Sequence, residues 1–295
     1  MSQLRLTALL ILLGSGWGLS QPLTKIAVSG GAAPMGLVFW QLLIGGLFLS
    51  LIVIRRGVPH VTRARLRVWI VIALIGNVLP SIATYSAARD LPAGLMAILL
   101  STVPLFGFVY ALILSLERFR LRRAVGLLIG LSGVLLLIVP EASLPDRAMV
   151  AVIPIALIGS LFYGAESNVI AKWGVAGMAP VEVLAGATLI GALMLLPVTV
   201  ATGQMAVPIS WGAPETALVL SAIVHACVYT GFVWLVGQAG PVFAVQISYV
   251  VTLTGIGWAM LLLGESYSGW IWGALALMLG GMALVQPRPA LPQAV

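Results

Sequence analysis

The sequence is poor in charge, in histidine and in cysteine. Of its 295 residues only 8% are charged, against ~25% in soluble domains. Apolar residues make up 61%, with a mean hydropathy of +1.14. A soluble protein of this size could not cover that much apolar surface with polar groups. Disorder is excluded too, since it needs low hydrophobicity and high charge. The one cysteine, Cys227, excludes an intramolecular disulfide and a cysteine metal cluster. With two histidines, His60 and His225, haem, iron–sulfur and zinc readings lose most of their ligands. No Gly-x-x-x-x-Gly-Lys-[Ser/Thr] phosphate loop occurs, so ATP bound to this chain drives nothing, and no cofactor is expected. No run of ~10 alternating residues suggests a β-barrel. The composition is that of a polytopic helical membrane protein.

A helix needs ~20 apolar residues to cross a bilayer. Ten segments qualify, at about 5–26, 34–55, 67–88, 91–115, 122–140, 149–171, 178–200, 214–237, 241–263 and 268–286. Breaks fall at Arg55-Arg56-Gly57, Glu117-Arg118, Pro140-Glu141 and Pro208. The first segment exceeds the 7–15-residue apolar core of a signal peptide and reads as a span. The basic residues set the orientation. One topology places Arg5, Arg55, Arg56, Arg63, Arg65, Arg67, Arg118, Arg120, Arg122, Arg123, Lys172 and Arg288 inside, leaving only Lys25, Arg89 and Arg147 outside. Both termini are therefore expected inside. The net charge of +7 is a topology signal that also contacts anionic lipid, not a nucleic-acid surface.

The chain repeats itself. Ala33-Pro34, Leu43-Ile44-Gly45 and Leu47 recur as Ala179-Pro180, Leu189-Ile190-Gly191 and Leu193 at a constant offset of 146. Gly14-Ser15, Trp17-Gly18 and Lys25 echo Gly159-Ser160, Tyr163-Gly164 and Lys172. Glu117 precedes Gly126 and Gly133 as Glu265 precedes Gly273 and Gly280. Matches in a common order mark a duplication. Two halves, 1–145 and 146–295, then hold five segments each. Five is odd, so the second half enters from the opposite side. That inverted repeat is a common plan of secondary transporters, with the solute site near the midplane between repeats.

On Pro104, Leu116-Glu117, Gly126-Gly130-Gly133, Leu263-Gly264-Glu265 and Gly273…Gly280-Gly281, the sequence resembles the drug/metabolite transporter superfamily, in its ten-helix EamA-type branch. The resemblance covers nearly the whole chain. It implies an all-α fold of two inverted five-helix repeats, and export of small metabolites across the bacterial inner membrane. It leans toward the YddG type, which exports aromatic and other neutral amino acids. It also implies a cavity lined by segments one, three, four, six, eight and nine. Two positions depart from the pattern. Gln41 stands where many relatives carry arginine, and Thr252 where a proline matching Pro104 is expected.

Polar groups in a bilayer are costly and need a reason. Asn77 and His225 lie mid-segment in corresponding segments, so they are expected to meet near the pseudo-axis. They either form a hydrogen-bonding floor for a solute or bond helices together. Glu166 is the one carboxylate well within a segment. It either binds a cation or a proton, or pairs with a neighbour such as Asn168 or with a helix end. Lys25 and Lys172 are expected to snorkel to opposite surfaces. Trp69, Trp173, Trp211, Trp270 and Trp272 fit an interfacial belt, whereas Trp17, Tyr85, Tyr163, Tyr229 and Tyr249 lie deeper. Trp17, Tyr85 and Tyr163 are expected on the apolar part of the solute, and Gln21, Asn77, His225 and Ser248 on its polar groups. Gly14/Gly18, Gly126/Gly130 and Gly269/Gly273 fit close helix packing. Glu117 and Glu265 are expected at the N-termini of segments five and ten. The working expectation is a monomeric exporter of amino acids or related metabolites that uses alternating access. Two alternatives stand beside it: an organic-cation exporter using Glu166, and a scaffold or membrane enzyme that moves nothing.

Overall fold

The computed structural model describes residues 3–57, 60–139, 144, 146–205, 211–239, 243 and 246–285. The breaks at Pro140, Glu141 and Pro208, and Arg288, lie outside those residues. Among the described residues the chain is helical and no strand forms. The α-helices are α1 (Gln3–Ser29), α2 (Pro34–Arg56), α3 (Arg63–Ile72), α4 (Leu79–Ala88), α5 (Ala93–Leu100), α6 (Val103–Ile113), α7 (Leu121–Ile138), α8 (Ile153–Trp173), α9 (Pro180–Ala201), α10 (Ala213–Ala239), α11 (Ile247–Leu263) and α12 (Gly269–Val285). Eight stretches are long and apolar enough to cross a membrane, and α11 and α12 are shorter apolar helices. Each of the ten sequence segments has a helical counterpart. Leu4, Leu51, Leu128 and Leu261 are largely exposed, as lipid-facing positions require.

Two segments are not simple helices. Segment three runs through α3, a π-helical stretch over Ala73–Val78, and α4. Pro80 causes the widening. Its ring would clash with the carbonyl of Gly76 one turn back, and it has no N–H to donate. The wider turn, with Leu79 N–H bonded to Leu74 O, relieves both problems. Segment four breaks at Ser101-Thr102 between α5 and α6, just before Pro104. The broken turn is stitched by Ser101 to Ile98 O (2.7 Å), Thr102 to Leu99 O (2.6 Å) and Ser160 of α8 to Leu99 O (3.0 Å). The corresponding position in α11 is Thr252, and that helix runs unbroken, with the Thr252 hydroxyl donating to Ser248 O at 3.0 Å.

The helices pack in clear pairs. α1 lies against α10 and α11, α2 against α9, α4 and α6 against α8, and α7 against α12. Gly126 and Gly130 of α7 meet Gly281 of α12 backbone to backbone. Gly269 and Gly280, by contrast, face open space, so the close contact belongs to Gly281. Gly14 and Gly18 let α1 approach Val250 and Gly255 of α11.

Three sequence expectations change here. Trp69 is not in the interfacial belt. It is buried and donates from Nε1 to Glu182 O at 3.1 Å, seated over Gly186. Glu117 pairs with the buried Arg123 at 2.8 Å, and that guanidinium lies 5.8 Å from the Phe108 ring centroid. Glu265 caps α5 rather than α12: its carboxylate accepts from Ala93 N (2.7 Å) and Gly94 N (3.1 Å). The helix dipole and two orphan N–H groups favour a carboxylate there. Tyr267 donates to the same carboxylate at 2.5 Å. Burial, and then that hydrogen bond, push its hydroxyl well above the ordinary tyrosine range.

The half-buried Lys25 and the exposed Lys172 mark opposite ends of the bundle. Lys25 donates to Arg89 O (3.0 Å) beside the start of α5. Lys172 donates to Leu114 O (3.0 Å) beyond the end of α6.

Candidate functional site

Two adjoining chambers occupy the middle of the bundle. The larger, of about 300 Å³, lies on the Lys172 side of the middle. α8 and α10 contribute Tyr163, Glu166, His225 and Tyr229 to it. α1 contributes Trp17 and Gln21, α11 contributes Ser248 and Thr252, and the broken segment contributes Leu100 and Pro104. The smaller, of about 80 Å³, lies toward the Lys25 side. Gln21, Asn77, Tyr163 and His225 line both chambers. Beyond the smaller one, Leu23, Ala27, Leu37, Leu42 and Leu218 form an apolar plug. On its far side is a third cavity of about 540 Å³ between Gly31, Trp40, Gln204 and Trp211.

The local folding explains why these groups face inward. The π-helical turn puts Gly76 and Asn77 at the chambers. Because Gly76 has no side chain, the Glu166 carboxylate sits directly against it; a Cβ there would overlap the carboxylate. Pro104 cannot donate to the Leu100 carbonyl, and both residues border the larger chamber.

Trp17, His225, Tyr229 and Phe232 form one aromatic cluster. Trp17 Nε1 donates to His225 Nδ1 at 3.2 Å. The Trp17 ring lies 5.3 Å from Phe232 and 6.4 Å from Tyr229, and His225 stacks on Tyr229 at 6.4 Å. With Nδ1 accepting, the neutral imidazole carries its proton on Nε2. A fixed donor thus remains for a solute. Such a cluster supplies apolar area with a few directed polar groups, the usual composition of a small-molecule pocket.

Glu166 is a carboxylate without a countercharge. Among the described residues it has no ion pair and no hydrogen bond. The expected partner, Asn168, is engaged elsewhere, donating to Gly107 O (2.9 Å) and Gly164 O (2.8 Å). No lysine or arginine lines either chamber. Among the described residues, no three metal-ligating side chains gather.

Nine of the ten residues singled out in the sequence border these chambers: Trp17, Gln21, Asn77, Tyr85, Tyr163, Glu166, His225, Tyr229 and Ser248. Tyr85 reaches only the smaller chamber. Tyr249 borders neither, because it points to a different face of α11 from Ser248. Sequence reasoning missed α2 and α9. Gln41 of α2 and Leu184 and Thr188 of α9 also line the smaller chamber. It also missed Thr24, Ser81, Thr84 and Ser221. Membrane serines and threonines usually bond their own helix one turn back, as Thr188 does to Leu184 O, so their residue type alone carries no signal.

A comparison with curated proteins returns no match. Among solved proteins, one crystal structure is 23% identical, covering 93% of this chain and 94% of its own, with a TM-score of 0.59. That likeness concerns the fold alone. The sequence profile of the EamA-like transporter family matches twice, over residues 5–139 and 150–286. The two matches take in nearly all of the helical bundle and its central chambers, and the chain belongs to the EamA-like transporter family, a family of membrane transporters of small molecules and not of enzymes.

Proposed function

We propose that the protein exports neutral amino acids, aromatic ones included, across the bacterial inner membrane by alternating access. The observation that carries this reading is the larger chamber: one carboxylate, no basic side chain, and an aromatic wall. An amino-acid ammonium has Glu166 to face. Its carboxylate has the Asn77 amide, the Nε2–H of His225 and the Gln21 amide as donors. Its side chain lies against Trp17 and Tyr229. The apolar plug between the smaller chamber and the third cavity is where a second access state would open. The proposed halves, 1–145 and 146–295, would rock against each other to do so.

The test is uptake of labelled Phe, Trp, Thr and Met into proteoliposomes, compared with a lipophilic cation. Saturable amino-acid flux is expected, falling at least about tenfold in Trp17→Ala and His225→Ala, since each removes a directed contact in a desolvated site. Absence of any saturable amino-acid flux would refute the reading. A second reading, an organic-cation exporter, is favoured by the unpaired Glu166; cation flux alone would establish it in place of the first.

Which chamber faces which side of the membrane rests on an N-in, C-in topology. In a Cys227→Ser background, Ser29→Cys is expected to react with a membrane-impermeant maleimide on intact cells. Arg118→Cys should react only after permeabilisation. Both positions are exposed at opposite ends of the bundle. The reverse labelling pattern would overturn the orientation.

A further inference from the structure

Among the described residues, four buried side-chain atoms close no well-formed hydrogen bond: Gln41 Oε1, Asn77 Nδ2, Tyr85 Oη and Ser221 Oγ, although the Tyr85 hydroxyl lies close to those of Thr24 and Ser221. All four residues line the same smaller chamber of about 80 Å³. Buried polar groups in native proteins are nearly all partnered. Four exceptions converging on one space, contributed by α2, α4, α10 and the π-helical turn, make a built site rather than a packing fault. Asn77, Tyr85 and Ser221 are 7%, 2% and 0% exposed, so their orientation is held by the bundle.

The chemistry of the chamber narrows what fits. No Lys, Arg, Asp or Glu borders it. An ion would enter without a countercharge, which is unfavourable in a low-dielectric interior. Gln41 Oε1 is an acceptor and Asn77 Nδ2 a donor, whereas the Tyr85 and Ser221 hydroxyls are both. The complement is a small neutral group that donates and accepts at once, such as a hydroxyl or a carboxamide. The volume suits it: the chamber of about 80 Å³ exceeds the ~10–15 Å³ that holds one water and falls short of the ~150 Å³ of a cavity that binds benzene, so it takes a functional group and not a ring. Through Asn77 and His225 it communicates with the larger chamber that holds Glu166 and the aromatic wall.

We propose that the smaller chamber is a specificity subsite that accepts the hydroxyl or carboxamide tip of the solute's side chain while its ammonium faces Glu166. This deepens the amino-acid reading and rests on it. The transporter then selects among neutral amino acids by hydrogen bonding as well as by size. Threonine is carried in preference to valine, and glutamine in preference to methionine.

Competition between the members of each pair in proteoliposomes tests it. Sites that hydrogen-bond a solute discriminate strongly against analogues lacking the group, so a preference of at least about tenfold is expected. In Ser221→Ala and in Tyr85→Phe the ratio should fall toward unity. A loss shared equally by both members of a pair would assign those hydroxyls a structural role and overturn the subsite. So would a wild type that carries valine and methionine as well as their partners, and that result would leave the exporter reading standing. If no member of either pair moves, and neither Phe nor Trp does, the exporter reading fails, and binding decides the subsite alone. Saturation-transfer NMR would then compare propionamide with its isostere butanone. Propionamide binding about tenfold tighter, lost in Ser221→Ala, supports the subsite; equal binding refutes it. The Tyr85, Ser221 and Thr24 hydroxyls lie close together without closing a well-formed hydrogen bond, so removing one of them costs little and the variants are expected to fold. A marked fall in melting temperature in both would again mean structure, not recognition.

Discussion

Gly281→Ala is expected to destabilise the protein by about 3 kcal/mol or more, at the upper end of overpacking costs. A Cβ on Gly281 would lie 2.5 Å from both Gly126 O and Gly130 N, and 2.7 Å from Gly130 Cα. These are backbone atoms in the middle of α7 and cannot rotate away. The methyl must push α7 and α12 apart, and with them the whole interface that close approach permits. Within bilayers small residues at such contacts are a main source of helix association. Gly280→Ala is the control. Nothing lies within 4 Å of a Cβ there, so it should be neutral or slightly favourable through helix propensity. The melting temperature of the detergent-solubilised protein should fall by roughly 5–10 °C in the first variant and stay near wild type in the second. Equal melting of the two would show that the glycine contact contributes nothing.

Glu166→Gln is expected to separate two classes of solute. A monovalent organic cation has only the Glu166 carboxylate as countercharge in the chamber, because no other acidic residue lines it. Removing one partner of a buried charge pair costs about 2–5 kcal/mol, so cation flux should drop about a hundredfold or more. A zwitterionic amino acid brings its own negative charge and keeps the contacts to Asn77, His225 and Gln21. Its flux should change by less than about tenfold. Glutamine retains the shape and an acceptor oxygen, so packing against Gly76 is preserved. Paired flux assays on the same vesicles give both numbers. Equal loss for cation and amino acid would remove the distinction and place Glu166 in a step common to both.

Much of the site was legible because intramembrane polarity is rare and conspicuous. Asn77, Glu166 and His225 stand out in apolar runs, and each borders the chambers. The matched pair Asn77 and His225, 148 residues apart, was legible through the repeat, whose offset stays between 145 and 148 along the sequence. Trp17 and Tyr163 were legible in the same way. Other features were not. Trp69 lies near the end of a segment, where an exposed and a buried tryptophan look alike; only Gly186 across the helix interface makes room for it. Gly280 and Gly281 are adjacent, and helix rotation alone decides which of them meets α7. Glu265 precedes α12 in sequence yet caps α5, since the loop folds back over that helix start. The same rotation sends Ser248 to the chamber and Tyr249 away from it.

By itself the sequence determined the class, the ten apolar helical segments and the family resemblance. Those rest on hydropathy, charge distribution and internal repetition, which are properties of short windows and of spacing along the chain. It also carried the cause of both helix irregularities, because Pro80 and Pro104 act on the carbonyl one turn before them. Only the tertiary structure decided which polar atoms are partnered. Whether Asn168 bonds Gly107 or Glu166, and whether Ser221 bonds anything, depends on helix rotation and on which glycines permit close approach. Those contacts join residues far apart in the chain, and no local pattern encodes them. The two chambers, the uncompensated Glu166 and the convergence on one space of four polar atoms that close no well-formed hydrogen bond are consequences of packing.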